Sequence, residues 1–146
     1  MPGMRKLGRF ASFVFLLTTS ASGATDVDLY DAKGVAVAFV NSDGIEWTFY
    51  SWTDGVPTAY LDEDSIYGFN GKHLGWFERG TVFDHDGNVV MAVAARFKDG
   101  VQTPPPKSPK QYKPYKDYKE YRPYKPVYNN TWSKTAARSF LEQGKK

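Results

Sequence analysis

One short pattern occurs four times between residues 29 and 93, and it limits the possible folds of the 146-residue chain more than any other feature. Each copy has an apolar–aromatic pair, a turn dipeptide ending in glycine, and a second apolar pair five and six residues after that glycine. Asn-Gly and Asp-Gly favour two-residue type I′ turns, because glycine readily adopts the positive φ that these turns require. We therefore predict four β-hairpins that turn at Lys33-Gly34, Asp54-Gly55, Asn70-Gly71 and Asp86-Gly87.

The spacing of the copies indicates how the hairpins are arranged. Gly55, Gly71 and Gly87 follow one another at steps of 16 residues, whereas Gly34 precedes Gly55 by 21, so the first connection carries an insertion. A single hairpin is marginally stable in water, so four similar hairpins must bury their apolar faces together. Closure around an axis also protects the strand edges. We predict an all-β domain over residues 25–100, with about eight short antiparallel strands around a pseudo-fourfold axis.

The third and fourth copies carry a resemblance to a known family. The segment SIYGFNGKHLGWF at residues 65–77, followed by VFDHDGN at residues 82–88, closely resembles the 4-fold beta flower domain family. The resemblance covers roughly residues 26–98, and the Pro/Lys-rich tail that ends in a Trp-containing segment is loosely similar to members of the family. It implies the architecture alone and carries over no activity and no catalytic residue.

The first 24 residues have the layout of a secretory signal peptide. Arg5, Lys6 and Arg9 precede an apolar stretch at residues 10–17, and small residues at positions 22–24 offer a cleavage site. The apolar stretch is too short to span a membrane, which takes about 20 residues. We expect export to the periplasm, cell surface or extracellular space, with no transmembrane span in the mature chain. An uncleaved anchor and an accidental apolar leader remain alternatives.

Charge divides the rest of the chain in two. Residues 25–100 hold 13 acidic and 5 basic residues, whereas residues 101–146 hold 11 basic and 3 acidic ones. From 107 to 125 a lysine or arginine occupies every third position, and tyrosine keeps the same period from 112 to 124. Seven of the nine prolines lie between 104 and 126. Proline favours polyproline II, which has three residues per turn and would place cations and tyrosines on different edges. We predict a disordered or polyproline II-like tail over residues 101–129.

Three interpretations of this tail remain open. It is a soluble spacer, a ribbon that binds an anionic polymer or another cell-envelope component, or a segment that contacts its own acidic domain. Within residues 130–146, a short amphipathic helix is predicted at 132–142, with Trp132, Ala136 and Phe140 on one face and Leu141 beside them. We expect this helix to dock on the domain, with a partner or a membrane interface as the alternative.

The candidate ligand-binding residues are aromatic or basic. Exposed rings on the β domain would form a carbohydrate-binding surface, whereas packing of the same rings in the core is the competing interpretation. The tail would contribute alternating cations and tyrosines. The candidates are Trp52, Tyr60, Trp76, Lys113, Tyr115, Lys116, Tyr118, Lys119, Tyr121, Arg122 and Tyr124.

Residue patterns typical of catalysis or metal binding are sparse. The chain has no cysteine and lacks a nucleophile elbow, a phosphate loop and a zinc motif. His73 and His85 lie near different turns, and the acidic residues at 62–64 and 84–86 complete no metal-ligand set. We predict no catalytic residue, metal or cofactor. The expected function is a secreted, non-enzymatic binding or scaffold module that contacts anionic envelope polymers through its tail. A small hydrolase or metal-binding protein built on the hairpin turns and a carbohydrate-binding module are the alternatives.

Overall fold

Eight antiparallel strands, each paired with its neighbours in sequence, form a closed barrel. The computed structural model describes residues 25–146, so the predicted signal peptide lies outside the described residues. Pairing of Tyr30 with Ala92 joins the last strand to the first. The strands are β1 (Thr25–Tyr30), β2 (Ala36–Ser42), β3 (Trp47–Ser51), β4 (Pro57–Asp62), β5 (Ser65–Gly68), β6 (His73–Glu78), β7 (Thr81–Phe83) and β8 (Val89–Ala92). The predicted all-β fold of four hairpins closed around an axis is confirmed.

The apolar–aromatic pair of each repeat supplies one side chain to each face of the barrel wall, because neighbouring residues in a strand point to opposite faces. In β3, Phe49 belongs to the apolar cluster inside the barrel, whereas Tyr50 belongs to a separate cluster on the outside. The corresponding inner residues of β1, β5 and β7 are Leu29, Ile66 and Val82. The barrel therefore has an apolar interior and an outer layer of aromatic rings.

The glycine turns are not the two-residue type I′ turns that the sequence predicts. Four or five residues separate the strands of each hairpin, and Gly71 has a φ of 89° while the preceding Asn70 does not have a positive φ. A β-bulge shifts the register just before each turn and accommodates the longer loop. Positive φ at two successive central residues occurs instead at Arg79 and Gly80, with 50° and 77°, in the connection between β6 and β7.

The chain ends in a helix, α1 (Ala137–Glu142), that covers one end of the barrel. Phe140 and Leu141 are buried in the same cluster as the inner barrel residues. Asn70 donates from Nδ2 to the carbonyl oxygen of Gln143 at 2.7 Å, so α1 lies at the end that carries the glycine turns. The helix is shorter than the predicted span of residues 132–142, because Trp132 forms an isolated bridge with Val89 before the helix begins.

The segment between the barrel and α1 passes around the outside of the barrel. A 3-10 helix (Ala94–Arg96) follows β8, and residues 101–129, termed the belt below, contain no helix, strand or turn. Backbone hydrogen bonds nevertheless tie the belt to the barrel at several points, so the expectation of a disordered tail is not confirmed. Over residues 25–146 no helix has the length and apolar character needed to cross a membrane.

Candidate functional site in the belt

The belt is anchored to the barrel at intervals of nine residues. Four backbone N–H groups of the belt donate to the carbonyl oxygens of the four turn glycines, with N···O distances of 2.9 to 3.0 Å. The pairs are Gln102 to Gly34, Gln111 to Gly55, Glu120 to Gly71 and Asn129 to Gly87. Each turn glycine is therefore contacted, in sequence order, by the same position of a nine-residue unit.

The belt adds a second requirement for glycine at these turns. A Cβ atom at Gly71 would collide with the carbonyl oxygen of Tyr118, and one at Gly55 would collide with that of Pro109, nine residues earlier in the belt. Gly44 also has a positive φ, of 92°, but no other atom lies within 4 Å of its Cβ position. Gly55, Gly71 and Gly87 thus meet a steric demand of the belt that a positive φ alone does not impose.

Six of the seven cations of the belt pair with carboxylates of the barrel. Lys119 Nζ lies 2.5 Å from Asp62 Oδ2, and Lys125 Nζ lies 2.7 Å from Glu78 Oε2. The other pairs are Lys107 with Asp26 and Asp28, Lys113 with Asp43 and Glu46, Lys116 with Glu46, Arg122 with Asp62 and Glu63, and Lys125 with Asp64. The first 24 residues hold 3 of the 19 basic residues and none of the 16 acidic ones, so residues 25–146 carry 16 of each. The charge of the belt is therefore balanced within the chain.

The ion pairs change the protonation of the carboxyl groups that they join. The hydrogen bond from Lys119 lowers the pKa of Asp62, and the hydrogen bond from Lys125 lowers the pKa of Asp64. Because both carboxyl groups stay ionised below their ordinary pKa, mild acid leaves these belt contacts in place.

The belt covers the outer aromatic layer of the barrel. Trp52 donates from Nε1 to the carbonyl oxygen of Pro105 at 2.9 Å, and Lys116 Nζ lies 4.3 Å from the centre of the Tyr60 ring. Trp52, Tyr60 and Trp76 are only 2%, 4% and 1% exposed. These three candidate ligand-binding residues therefore belong to the packing beneath the belt and do not form an exposed carbohydrate-binding surface.

Five of the six tyrosines of the belt point to solvent, and each of these five is at least 90% exposed. The sixth, Tyr128, stacks on Phe83 with ring centres 3.8 Å apart and donates to Glu78 Oε2 at 2.6 Å. The five exposed residues, termed the tyrosine row, are Tyr112, Tyr115, Tyr118, Tyr121 and Tyr124. The paired cations and the tyrosine row therefore lie on different sides of the belt, as the three-residue period predicts. The row presents aromatic faces that can stack on flat faces of a ligand.

Beneath the third anchor, the structure brings together two histidines that the sequence leaves apart. His73 Nδ1 lies 3.0 Å from His85 Nε2, and His73 Nε2 lies 3.1 Å from Ser65 Oγ. The backbone N–H of His73 donates to Glu120 Oε2 at 2.5 Å, which connects this chain of side chains, termed the histidine relay, to the belt. Burial, followed by the neighbouring charge of His85, lowers the pKa of His73 to about 4. His73 is therefore neutral at pH 7.

The histidine relay has the connectivity of a nucleophile, a base and an orienting group. Ser65 is 0% exposed and His73 is 3% exposed, so a substrate has no access to Ser65 Oγ beneath the belt. In the part of the chain that the structure describes, no group of three or more histidine and carboxylate side chains could hold a metal ion. Residues 62–64 pair with belt cations, and the Asp84 carboxylate accepts hydrogen bonds from its own turn.

The anchors were not among the predicted features, although the sequence contains a trace of them. Gln102, Gln111 and Glu120 are spaced by nine residues. The same spacing separates Pro105, Pro114 and Pro123. The three-residue period of cations and tyrosines masks this nine-residue period. The nine-residue period can be interpreted only when the distance between the turns of neighbouring hairpins is known.

A closed barrel of four hairpins, bound at every hairpin by its own tail, defines a class of repeat β-protein in which the tail is part of the fold. The family model described as 4-fold beta flower protein matches residues 27–141 and so includes the barrel, the belt and most of α1. The chain belongs to the 4-fold beta flower family. No curated protein and no solved structure matches it.

Proposed function

We propose that this protein is an exported, non-enzymatic binding module that contacts a cell-envelope polymer through the tyrosine row. The observation that carries the proposal is the division of the belt: six of its seven cations pair with barrel carboxylates, whereas the five tyrosines of the row are at least 90% exposed. The positive, apolar and small-residue layout of the first 24 residues supports export.

The ion pairs favour contact through the rings over contact through the cations. An anionic polymer that used Lys119 or Lys125 would have to displace Asp62, Asp64 or Glu78. Each displacement leaves a carboxylate without its partner, which offsets the attraction to the polymer. The cations thus hold the belt on the barrel and leave the tyrosines as its outward face.

The anchors favour binding because they fix the belt before a ligand arrives. A flexible tail loses conformational freedom when it binds, and this loss weakens affinity. Backbone hydrogen bonds from Gln111 and Glu120 hold the belt on either side of Tyr112, Tyr115 and Tyr118. A preorganised row of rings therefore binds at a lower entropic cost than the same residues in a free tail.

We propose no enzymatic role because a substrate cannot reach the histidine relay. The hydrolase alternative requires a substrate carbonyl next to Ser65 Oγ, and Ser65 is fully buried. The metal-binding alternative requires carboxylates that are instead paired with belt cations, as Asp62 is with Lys119. Binding through exposed rings needs neither rearrangement.

The test is binding of the purified mature chain to immobilised envelope polymers, both neutral glycans and anionic polymers. The key variant replaces all five tyrosines of the row by serine, and the matched control replaces them by phenylalanine, which keeps the rings. We expect the serine variant to lose binding and the phenylalanine variant to retain it, with unchanged melting temperatures, because the five side chains are exposed. Equal binding by the serine variant, or no binding by the mature chain, would refute the proposal. Truncation of the tail is unsuitable as a test because it also removes the buried Phe140.

A further inference from the structure

We infer that the ligand of the tyrosine row is an extended, uncharged polysaccharide. This inference rests on the proposed function, since it uses the same five side chains, and it adds the chemical class of the polymer. A pyranose ring has a face of C–H groups that packs against the π-face of an aromatic ring. Three properties of the belt select this class over other polymers with flat groups: its charge balance, the spacing of its rings and the exposure of each ring.

Charge balance disfavours nucleic acids and other polyanions. Single-stranded nucleic acids bind where stacking platforms are combined with a positively charged groove. Here the cations between the rings already have partners: Lys116 pairs with Glu46, Lys119 with Asp62, and residues 25–146 carry equal numbers of acidic and basic residues. The row therefore offers stacking without the excess positive charge that phosphate or sulfate groups require.

The spacing of the row suits a polymer with a constant repeat. Successive tyrosines are three residues apart from 112 to 124, and a chain extended like polyproline II advances about 9 Å in three residues. This step is comparable to the disaccharide repeat of an extended β-linked glycan. Five equivalent platforms allow affinity to accumulate along one ligand molecule, because each further contact is intramolecular.

The exposure of each ring disfavours proline-rich peptides. Such peptides dock as polyproline II helices in grooves that aromatic side chains line. Tyr118 and Tyr121 are fully exposed, so they stand away from the surface and do not form the walls of a groove. Isolated platforms of this kind fit a broad sugar face better than they fit a narrow peptide helix.

The test uses calorimetry on the mature chain with soluble neutral β-linked oligosaccharides of increasing length, single-stranded DNA, a sulfated polysaccharide and a proline-rich peptide. We expect affinity for the neutral series to rise with length, to change little with salt, and to fall at least about tenfold when the five tyrosines become serine. The variant with five phenylalanines should bind like the parent chain.

The outcomes separate this inference from the proposed function. Tyrosine-dependent binding to the DNA or the sulfated polysaccharide with a steep salt dependence would overturn the polysaccharide inference and leave the binding module intact. Tyrosine-dependent binding to the peptide alone would do the same. Failure of every ligand class, neutral and anionic envelope polymers included, would overturn both.

Discussion

The barrel holds its shape through side chains that are hidden from water, whereas the belt is held mainly by backbone hydrogen bonds and ion pairs near the surface. Phe49 and Ile66 are 0% exposed inside the barrel, while the paired Lys119 and Asp62 side chains keep 45% and 30% of their exposure. Exposed ion pairs contribute little each, and burial of apolar groups contributes most of the stability of a domain. We therefore expect the belt to open locally before the barrel unfolds.

The tail does not belong entirely to the weaker region. The belt ends near Asn129, and α1 then returns apolar side chains to the barrel cluster. Phe140 is 2% exposed, as deeply buried as many barrel residues. The comparison thus divides the tail into a polar belt and an apolar helix, and substitutions can separate their contributions.

The largest effect is expected for Phe140→Ala. Removal of a buried phenylalanine side chain leaves a cavity and lowers the free energy of unfolding by about 4 kcal/mol. Ser139→Ala, on the exposed side of the same helix, should change it by less than about 0.5 kcal/mol. Urea unfolding of both variants measures the difference. Similar stabilities would mean that α1 is not part of the core.

The next effect concerns pH and the histidine relay. The pKa of His73 is about 4 in the folded protein and about 6.5 in an unfolded chain. Between these values the unfolded state binds a proton that the folded state does not, so stability falls as pH decreases from 6.5 to 4, by up to about 3 kcal/mol. Asp62 and Asp64, whose pKa values are lowered, keep their contribution above their ordinary pKa and lose it only in stronger acid.

Chemical unfolding at several pH values measures this dependence. His73→Gln should flatten the slope between pH 6.5 and 4, because the titrating group is gone. A parent chain that is equally stable at both ends of the window would show that burial does not hold His73 in its neutral form.

The smallest of the three effects isolates the belt at a single turn. Gly44→Ala introduces only the strain of a positive φ and should lower the free energy of unfolding by about 1 kcal/mol. Gly71→Ala introduces a similar strain and also displaces the carbonyl oxygen of Tyr118, so it should lower the free energy of unfolding by about 2 kcal/mol. Hydrogen exchange at the amide of Glu120 should accelerate in Gly71→Ala and not in Gly44→Ala. Equal melting temperatures and equal exchange rates in the two variants would show that the belt does not contact the turn at Gly71.

The barrel was predictable because its determinants are local. Glycine turns such as Asn70-Gly71 and the alternation of inner and outer residues such as Phe49 and Tyr50 act within a few positions of the chain. The turn type was predicted wrongly, since the bulge before Gly71 lengthens the loop so that glycine alone takes a positive φ. The Asn-Gly dipeptide alone favours the two-residue turn, whereas four residues separate β5 from β6 in the barrel.

Contact of the tail with its own acidic domain was one of the three interpretations, but the anchors of the belt and the histidine relay were not predictable, because their partners are distant in sequence. Gln111 contacts Gly55 and Glu120 contacts Gly71, at separations set by the circumference of the barrel and not by any local pattern. The burial of Trp52 likewise depends on Pro105, which belongs to the belt. His73 and His85 meet because equivalent ends of adjacent hairpins are neighbours in the closed barrel.

The three-residue period of the side chains and the nine-residue period of the anchors together determine which insertions and deletions the belt can accommodate. Loss or gain of one three-residue unit, the expected product of slippage in a repetitive coding sequence, would keep every cation facing inward and every tyrosine facing outward. It would also displace all later residues by about 9 Å along the chain. Between Glu120 and Asn129, such a deletion would leave the last anchor short of Gly87. The width of a hairpin thus requires three of these three-residue units between successive anchors. The composition of the segment alone would allow any number of them.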